Sequence, residues 1–70
     1  THENLAARVY AWIQARHAEG MTVYVLTYER ATKIAPKHAD RVRLRGNHCE
    51  MMRGRHWDSI QYCTFQARAD

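Results

Sequence analysis

The chain has 70 residues, of which 46% are hydrophobic, and it carries 11 Lys and Arg against 7 Asp and Glu, for a formal net charge of +4 at pH 7. This length allows one small domain over residues 1–70, and the apolar fraction excludes wholesale disorder. There is no apolar run near the roughly 18 residues of a spanning helix and no signal-peptide core, so we expect a cytoplasmic protein without a membrane partner.

The first twenty residues predict one amphipathic helix. Leu5, Val9, Trp12 and Ile13 recur at the spacing of a single helical face. Gly20 suits the left-handed position just past the helix end. We expect this apolar stripe to pack on a sheet, with Trp12 in the core.

The next segments predict a strand and then a loop. MTVYVLTYE, residues 21–29, is rich in β-branched and aromatic residues and is apolar on both faces, which favours a central strand. Residues 30–40 have no clean period and are interpreted as a loop, with one helical turn beginning at Pro36. This loop presents Lys33 and Lys37 to a partner.

Two glycine-led dipeptides divide the following residues into three predicted strands. Gly46-Asn47 and Gly54-Arg55 both place glycine first, as a type II′ hairpin turn requires. The turns fix a register with the pairs Val42–Met51, Leu44–Cys49, Cys49–Ile60 and Met51–Asp58. The strand after Ile60 is left open, because YCTFQARA fits either orientation.

Because side chains alternate along a strand, this register predicts two unlike faces. The apolar face carries Val42, Leu44, Cys49, Met51 and Ile60. The basic face, which we expect to be exposed to solvent, carries Arg41, Arg43, Arg45, His48, Glu50, Met52, Trp57, Ser59 and Gln61. The complete pattern predicts an α+β fold, with the N-terminal helix packed on one face of a small, mostly antiparallel sheet of about four strands.

The two cysteines are predicted to remain free thiols. They are too few for a secreted disulfide framework and have no C-x-x-C spacing. The register also places Cys49 opposite Ile60 rather than Cys63. A domain of this size often gains stability from a partner, so a homodimer is a further expectation.

Positive charge is concentrated between residues 30 and 57, which hold eight of the 11 Lys and Arg but only two acids. Such a cluster favours contact with an anion, and a basic sheet face with aromatic residues is typical of proteins that hold nucleic acid. We expect non-sequence-specific binding of DNA or RNA, with Trp57 stacking on a base. The predicted contact residues are Arg41, Arg43, Arg45, Arg53, Arg55, Trp57, Lys33, Lys37 and His48.

The same residue types fit an alternative, a small regulator or inhibitor that docks on an acidic surface of a partner protein. The sequence leaves these two alternatives open. In both cases we expect a non-enzymatic protein without cofactor or metal, because neither zinc-ligand spacing nor an oriented nucleophile and base is present.

One string carries a family resemblance. Leu44-Arg45-Gly46-Asn47-His48 with Glu50 resembles the R-G-N-H-E signature of the metallophosphoesterases, in which Asn binds a metal pair and His assists the chemistry. Cys49 interrupts the signature, and the family's upstream G-D-x-x-D-R-G motif is absent from the sequence. Gly46-Asn47 is explained by the predicted turn.

Overall fold

The computed structural model describes residues 2–45, 48–60 and 63–69, with helix side chains from Arg8 onward. The elements are α1 (His2–Ala18), β1 (Thr22–Leu26), β2 (Ala31–Ile34), a 3₁₀ helix (Pro36–Arg41), β3 (Val42–Arg45), β4 (His48–Arg53), β5 (His56–Ile60) and β6 (Thr64–Arg68). No helix in this described part of the chain is long and apolar enough to cross a bilayer.

The helix ends at Ala18, and Gly20 occupies the left-handed position just past its end, as the sequence predicts. The Gly20 N–H donates to the carbonyl of His17 at 2.9 Å, and the Met21 N–H donates to the carbonyl of Arg16 at 3.1 Å. This pair of bonds requires a left-handed residue, and Gly20 has φ of 81°. On the inward side of the helix, Val9 and Ile13 are buried and Trp12 packs partly against the core.

The first sheet has the strand order β2-β1-β6, and all its pairs are antiparallel. The prediction that the strand within residues 21–29 is central is confirmed, since β1 lies between two partners. Val23 and Val25 are fully buried and face the interior. Thr32 and Phe65 lie beside Val25 on the same face, because each is its direct cross-strand partner.

The loop predicted for residues 30–40 is wrong at Ala31–Ile34, which forms β2. A threonine rather than a glycine makes the preceding turn. The Thr27 Oγ1 accepts hydrogen bonds from the N–H groups of Glu29 and Arg30, each at 3.3 Å, so the chain reverses and pairs with β1. The helical turn predicted at Pro36 is confirmed as the 3₁₀ helix.

The second sheet has the order β3-β4-β5, also antiparallel. Its register is the predicted one, with the pairs Val42–Met51, Leu44–Cys49, Cys49–Ile60 and Met51–Asp58. Gly54 has φ of 58°, as the primed hairpin turns require. The other predicted turn, Gly46-Asn47, lies outside the described residues.

The α+β class and the helix packed on an antiparallel sheet are confirmed. The described strands number six, in two three-stranded sheets, where the sequence suggested about four in one. The difference comes from β2 and β6, which pair with β1 rather than with the second sheet. One core joins the helix to both sheets, through the buried residues Val9, Ile13, Val23, Val25, Ile34, Ala39 and Val42.

The prediction of free thiols is wrong, because Cys49 and Cys63 form a disulfide with their Cα atoms 6.1 Å apart. Had β5 continued straight, Cys63 would lie roughly 10 Å further along the sheet than Cys49. By Cys63 the chain has instead left the direction of β5, and it enters the first sheet at Thr64. The pairing of Cys49 with Ile60 and the disulfide are therefore compatible. The bond ties the two sheets together.

Candidate functional site

The outward side of the second sheet contains the largest group of predicted contact residues. Alternation along β3, β4 and β5 places seven residues there, and we call this surface the outer face. Its members are Arg43, Arg45, His48, Glu50, Met52, Trp57 and Ser59. The opposite side of the same strands carries Val42 and Cys49, which are buried in the interior.

A stacked ion pair occupies the middle of the outer face. The Arg43 Nε donates to the Glu50 Oε1 at 2.7 Å, and the Arg43 Cζ lies 3.9 Å from the centroid of the Trp57 ring. Arg43 thus reaches across β4 to the neighbouring strand. Its side chain is 29% exposed and that of Glu50 is 13% exposed. The guanidinium is held in one place, and its charge is balanced locally by Glu50.

Arg45 and His48 lie beside this ion pair at one end of the outer face, where they are direct cross-strand partners. Arg45 is exposed and His48 is half-buried. Arg41 is also exposed, and it ends the 3₁₀ helix immediately before β3. Within the described residues neither Arg41 nor Arg45 forms an ion pair, so their charge is available to a partner.

Four of the predicted contact residues lie elsewhere. Arg53 is on the inward side of β4, where its Nε contacts the Asp58 Oδ2 at 3.2 Å. Arg55 lies in the turn between β4 and β5. Lys33 is on the first sheet opposite Tyr24, and Lys37 is in the 3₁₀ helix. The structure therefore brings together three of the seven predicted Lys and Arg contacts, namely Arg41, Arg43 and Arg45.

A second aromatic and basic group lies on the outward side of the first sheet. The Arg68 Cζ is 4.7 Å from the centroid of the Tyr24 ring, and the Arg68 Nε donates to the Gln66 Oε1 at 2.9 Å. Neither Tyr24 nor Arg68 is among the contact residues predicted from the sequence. This group could be predicted only from the pairing of β1 with β6. The orientation of the strand after Ile60 could not be assigned from the sequence.

A cleft of about 830 Å³ lies between the β1–β2 turn and the β4–β5 hairpin. Met51 and Ile60 supply its apolar lining, while Arg30, Arg53 and Asp58 supply charge. Asp58 is shared, since the His56 Nε2 also lies 3.5 Å from its Oδ1. Met51, Asp58 and Ile60 line the cleft from the inward side of the second sheet, and Met52 and Ser59 of the outer face also border it.

Comparison with known proteins gives no relative. No protein-family model, no curated protein and no solved structure matches the chain. Within the described residues, no group of three or more His, Cys, Asp or Glu side chains could hold a metal ion. Inference about function therefore depends on the residues of the outer face.

Proposed function

We propose that this chain is a small non-catalytic binding protein that contacts nucleic acid through the outer face of its second sheet. The observation that supports this most is the exposed Arg45, next to the Arg43–Trp57 stack and free of an ion pair within the described residues. Arg41 and His48 add donors around the stack. Arginine side chains bind phosphate oxygens whatever the base sequence, so recognition would be non-specific.

The number of available cations limits the strength of this contact. If Arg41 and Arg45 each neutralise one phosphate of a single strand, log K should fall with log salt at a slope of about −1.4. Binding would then be readily measured at low ionic strength and weakened at physiological salt. A steeper slope would show that cations other than Arg41 and Arg45 take part.

Fluorescence anisotropy with short labelled strands of mixed sequence, DNA and RNA in parallel, tests the proposal. The variant Arg45→Glu should weaken binding, and Arg30→Glu is its matched control. Arg30 is exposed in the β1–β2 turn, so the control makes the same change in net charge at a different place. Equal losses in the two variants would show that the outer face is not the contact surface. Absence of binding by the wild type at low salt would refute nucleic-acid binding.

The disulfide favours the alternative partner, an acidic protein surface. Disulfides persist mainly in oxidising compartments. The Cys49–Cys63 bond is therefore an argument against the predicted cytoplasmic location, in which the protein would encounter nucleic acid. Met52 and Trp57 on the outer face are residue types enriched in protein contacts. This alternative would be supported if the protein does not bind oligonucleotides at low salt but binds poly-glutamate, and if Arg45→Glu weakens the binding of poly-glutamate. Sedimentation analysis tests the predicted homodimer in the same samples.

A further inference from the structure

The ring of Trp57 was the stacking surface expected from the sequence, but Arg43 covers it. An Arg43 Cζ at 3.9 Å from the ring centroid places the guanidinium over a face of the indole at van der Waals distance. That face of the ring is not available to a base. The guanidinium is itself planar, and it can take a second ring on its opposite side.

Resting on the proposed function, we infer that Arg43 is the surface on which an unpaired nucleobase stacks. Arginine planes, like aromatic rings, serve as stacking surfaces for splayed-out bases of single strands. The Arg43 side chain keeps 29% of its surface exposed although Trp57 and Glu50 both contact it. Arg41 and Arg45, on either side of it in sequence, are exposed where they can meet the flanking phosphates.

Pre-organisation distinguishes Arg43 from the other arginines of this surface. A free arginine side chain loses much rotamer freedom when it binds. At Arg43 this ordering is already complete, because the Glu50 carboxylate holds the Nε at 2.7 Å and Trp57 supports the plane. A ligand that stacks there meets a fixed surface, which improves affinity.

The ligand class follows from this geometry. Every nucleobase has a flat face, so the site tolerates all sequences. In a duplex these faces are covered by neighbouring bases, and an isolated side chain on a sheet cannot reach them. The site should therefore prefer a single strand to the duplex of the same sequence.

The variant Arg43→Lys tests the inference, because lysine keeps the charge and removes the plane. Stacking contributions of the usual size predict that affinity for a single strand falls about 5- to 150-fold. Arg30→Lys is the matched control, and it should change affinity by no more than about twofold, since Arg30 is exposed in the β1–β2 turn, outside the outer face. Far-UV circular dichroism checks that both variants are folded.

An abasic strand of the same length separates stacking from charge, and it needs only the wild type. We expect the wild type to bind the strand with bases more tightly, and Arg43→Lys to bind both strands as weakly as the wild type binds the abasic one. Equal affinity of the wild type for both strands, or an affinity of Arg43→Lys no lower than that of Arg30→Lys, would overturn the inference while leaving the proposed function in place. Failure of the wild type to bind either strand would overturn both.

Discussion

Breaking the Cys49–Cys63 bond should remove a large part of the free energy of unfolding. The two cysteines are separated by 14 positions in sequence. Cross-linking a loop of that length lowers the entropy of the unfolded chain by an amount worth about 3 kcal/mol. The core of a domain this small supplies only roughly 3 to 5 kcal/mol. The reduced protein is therefore expected to keep only the few kcal/mol that its core supplies.

Thermal unfolding followed by far-UV circular dichroism, with and without a phosphine reductant, measures this effect. In a domain of this size 1 kcal/mol changes Tm by about 4–8 °C, so reduction should lower Tm by about 12 to 24 °C. A double variant, Cys49→Ala with Cys63→Ala, should have a Tm near that of the reduced wild type, and the reductant should not change it. The reduced wild type keeps both sulfur atoms. Its Tm therefore reports the loss of the cross-link without a loss of packing around the fully buried Cys49.

A thiol assay on the unfolded protein establishes that reduction is complete. If two thiols are then titrated and Tm has not fallen, the cross-link does not stabilise the fold, and packing alone holds the two sheets together. If the double variant unfolds well below the reduced wild type, the difference measures the cavity left by the missing sulfur atoms.

Three substitutions test the packing and the turns, each by its urea unfolding midpoint. Ile13→Ala removes a fully buried side chain and should cost about 2–5 kcal/mol, whereas Gln14→Ala on the exposed side should be nearly neutral; similar losses would mean that the helix packs by another face. Gly54→Ala places an L-residue at the observed φ of 58° and should lower the free energy of unfolding by about 1 kcal/mol, with a smaller loss for Gly54→Asn. Equal stability of the wild type and both variants would contradict the turn geometry. Thr27→Val removes the hydroxyl that accepts hydrogen bonds from two turn N–H groups, and it should lower the free energy of unfolding by about 1 kcal/mol. Thr27→Ser keeps the hydroxyl and should retain most of that stability. If Thr27→Ser is as unstable as Thr27→Val, the hydroxyl is not the cause of the loss.

The register of the second sheet could be predicted because two independent local signals agree. Glycine at a hairpin turn fixes which residues face each other, and alternation then separates Val42 and Cys49 from Arg43 and Trp57. A slip of one residue would expose the apolar set, so the pairing has no close competitor. The Arg43–Glu50 pair follows directly from this register.

The parts that sequence reasoning missed depend on long-range geometry. The Thr27 turn carries neither glycine nor proline, so β2 had no visible start. The disulfide depends on where the chain goes after Ile60, which no local pattern specifies. Arg43 covers Trp57 because a long side chain can cross a neighbouring strand, a contact that pair registers do not include.

Arg53 shows a different kind of error. The predicted register already placed it on the same side of β4 as Cys49 and Met51, but its charge led to its grouping with the outer face. The structure keeps it on the inward side, at the mouth of the cleft with Asp58. Where side-chain alternation and charge disagree at the end of a strand, alternation gives the correct face here.

The pairing of β1 with β6 also bears on the order in which the protein assembles. Val25 and its partner Phe65 are 40 positions apart, whereas the strands of the second sheet pair only with their neighbours in sequence. During folding the β3–β4–β5 meander can form from local contacts before Thr64–Arg68 reaches β1, and until then one edge of β1 is unpaired. Partly folded chains in which β6 has not yet paired with β1 should therefore be the species most exposed to aggregation and to proteases.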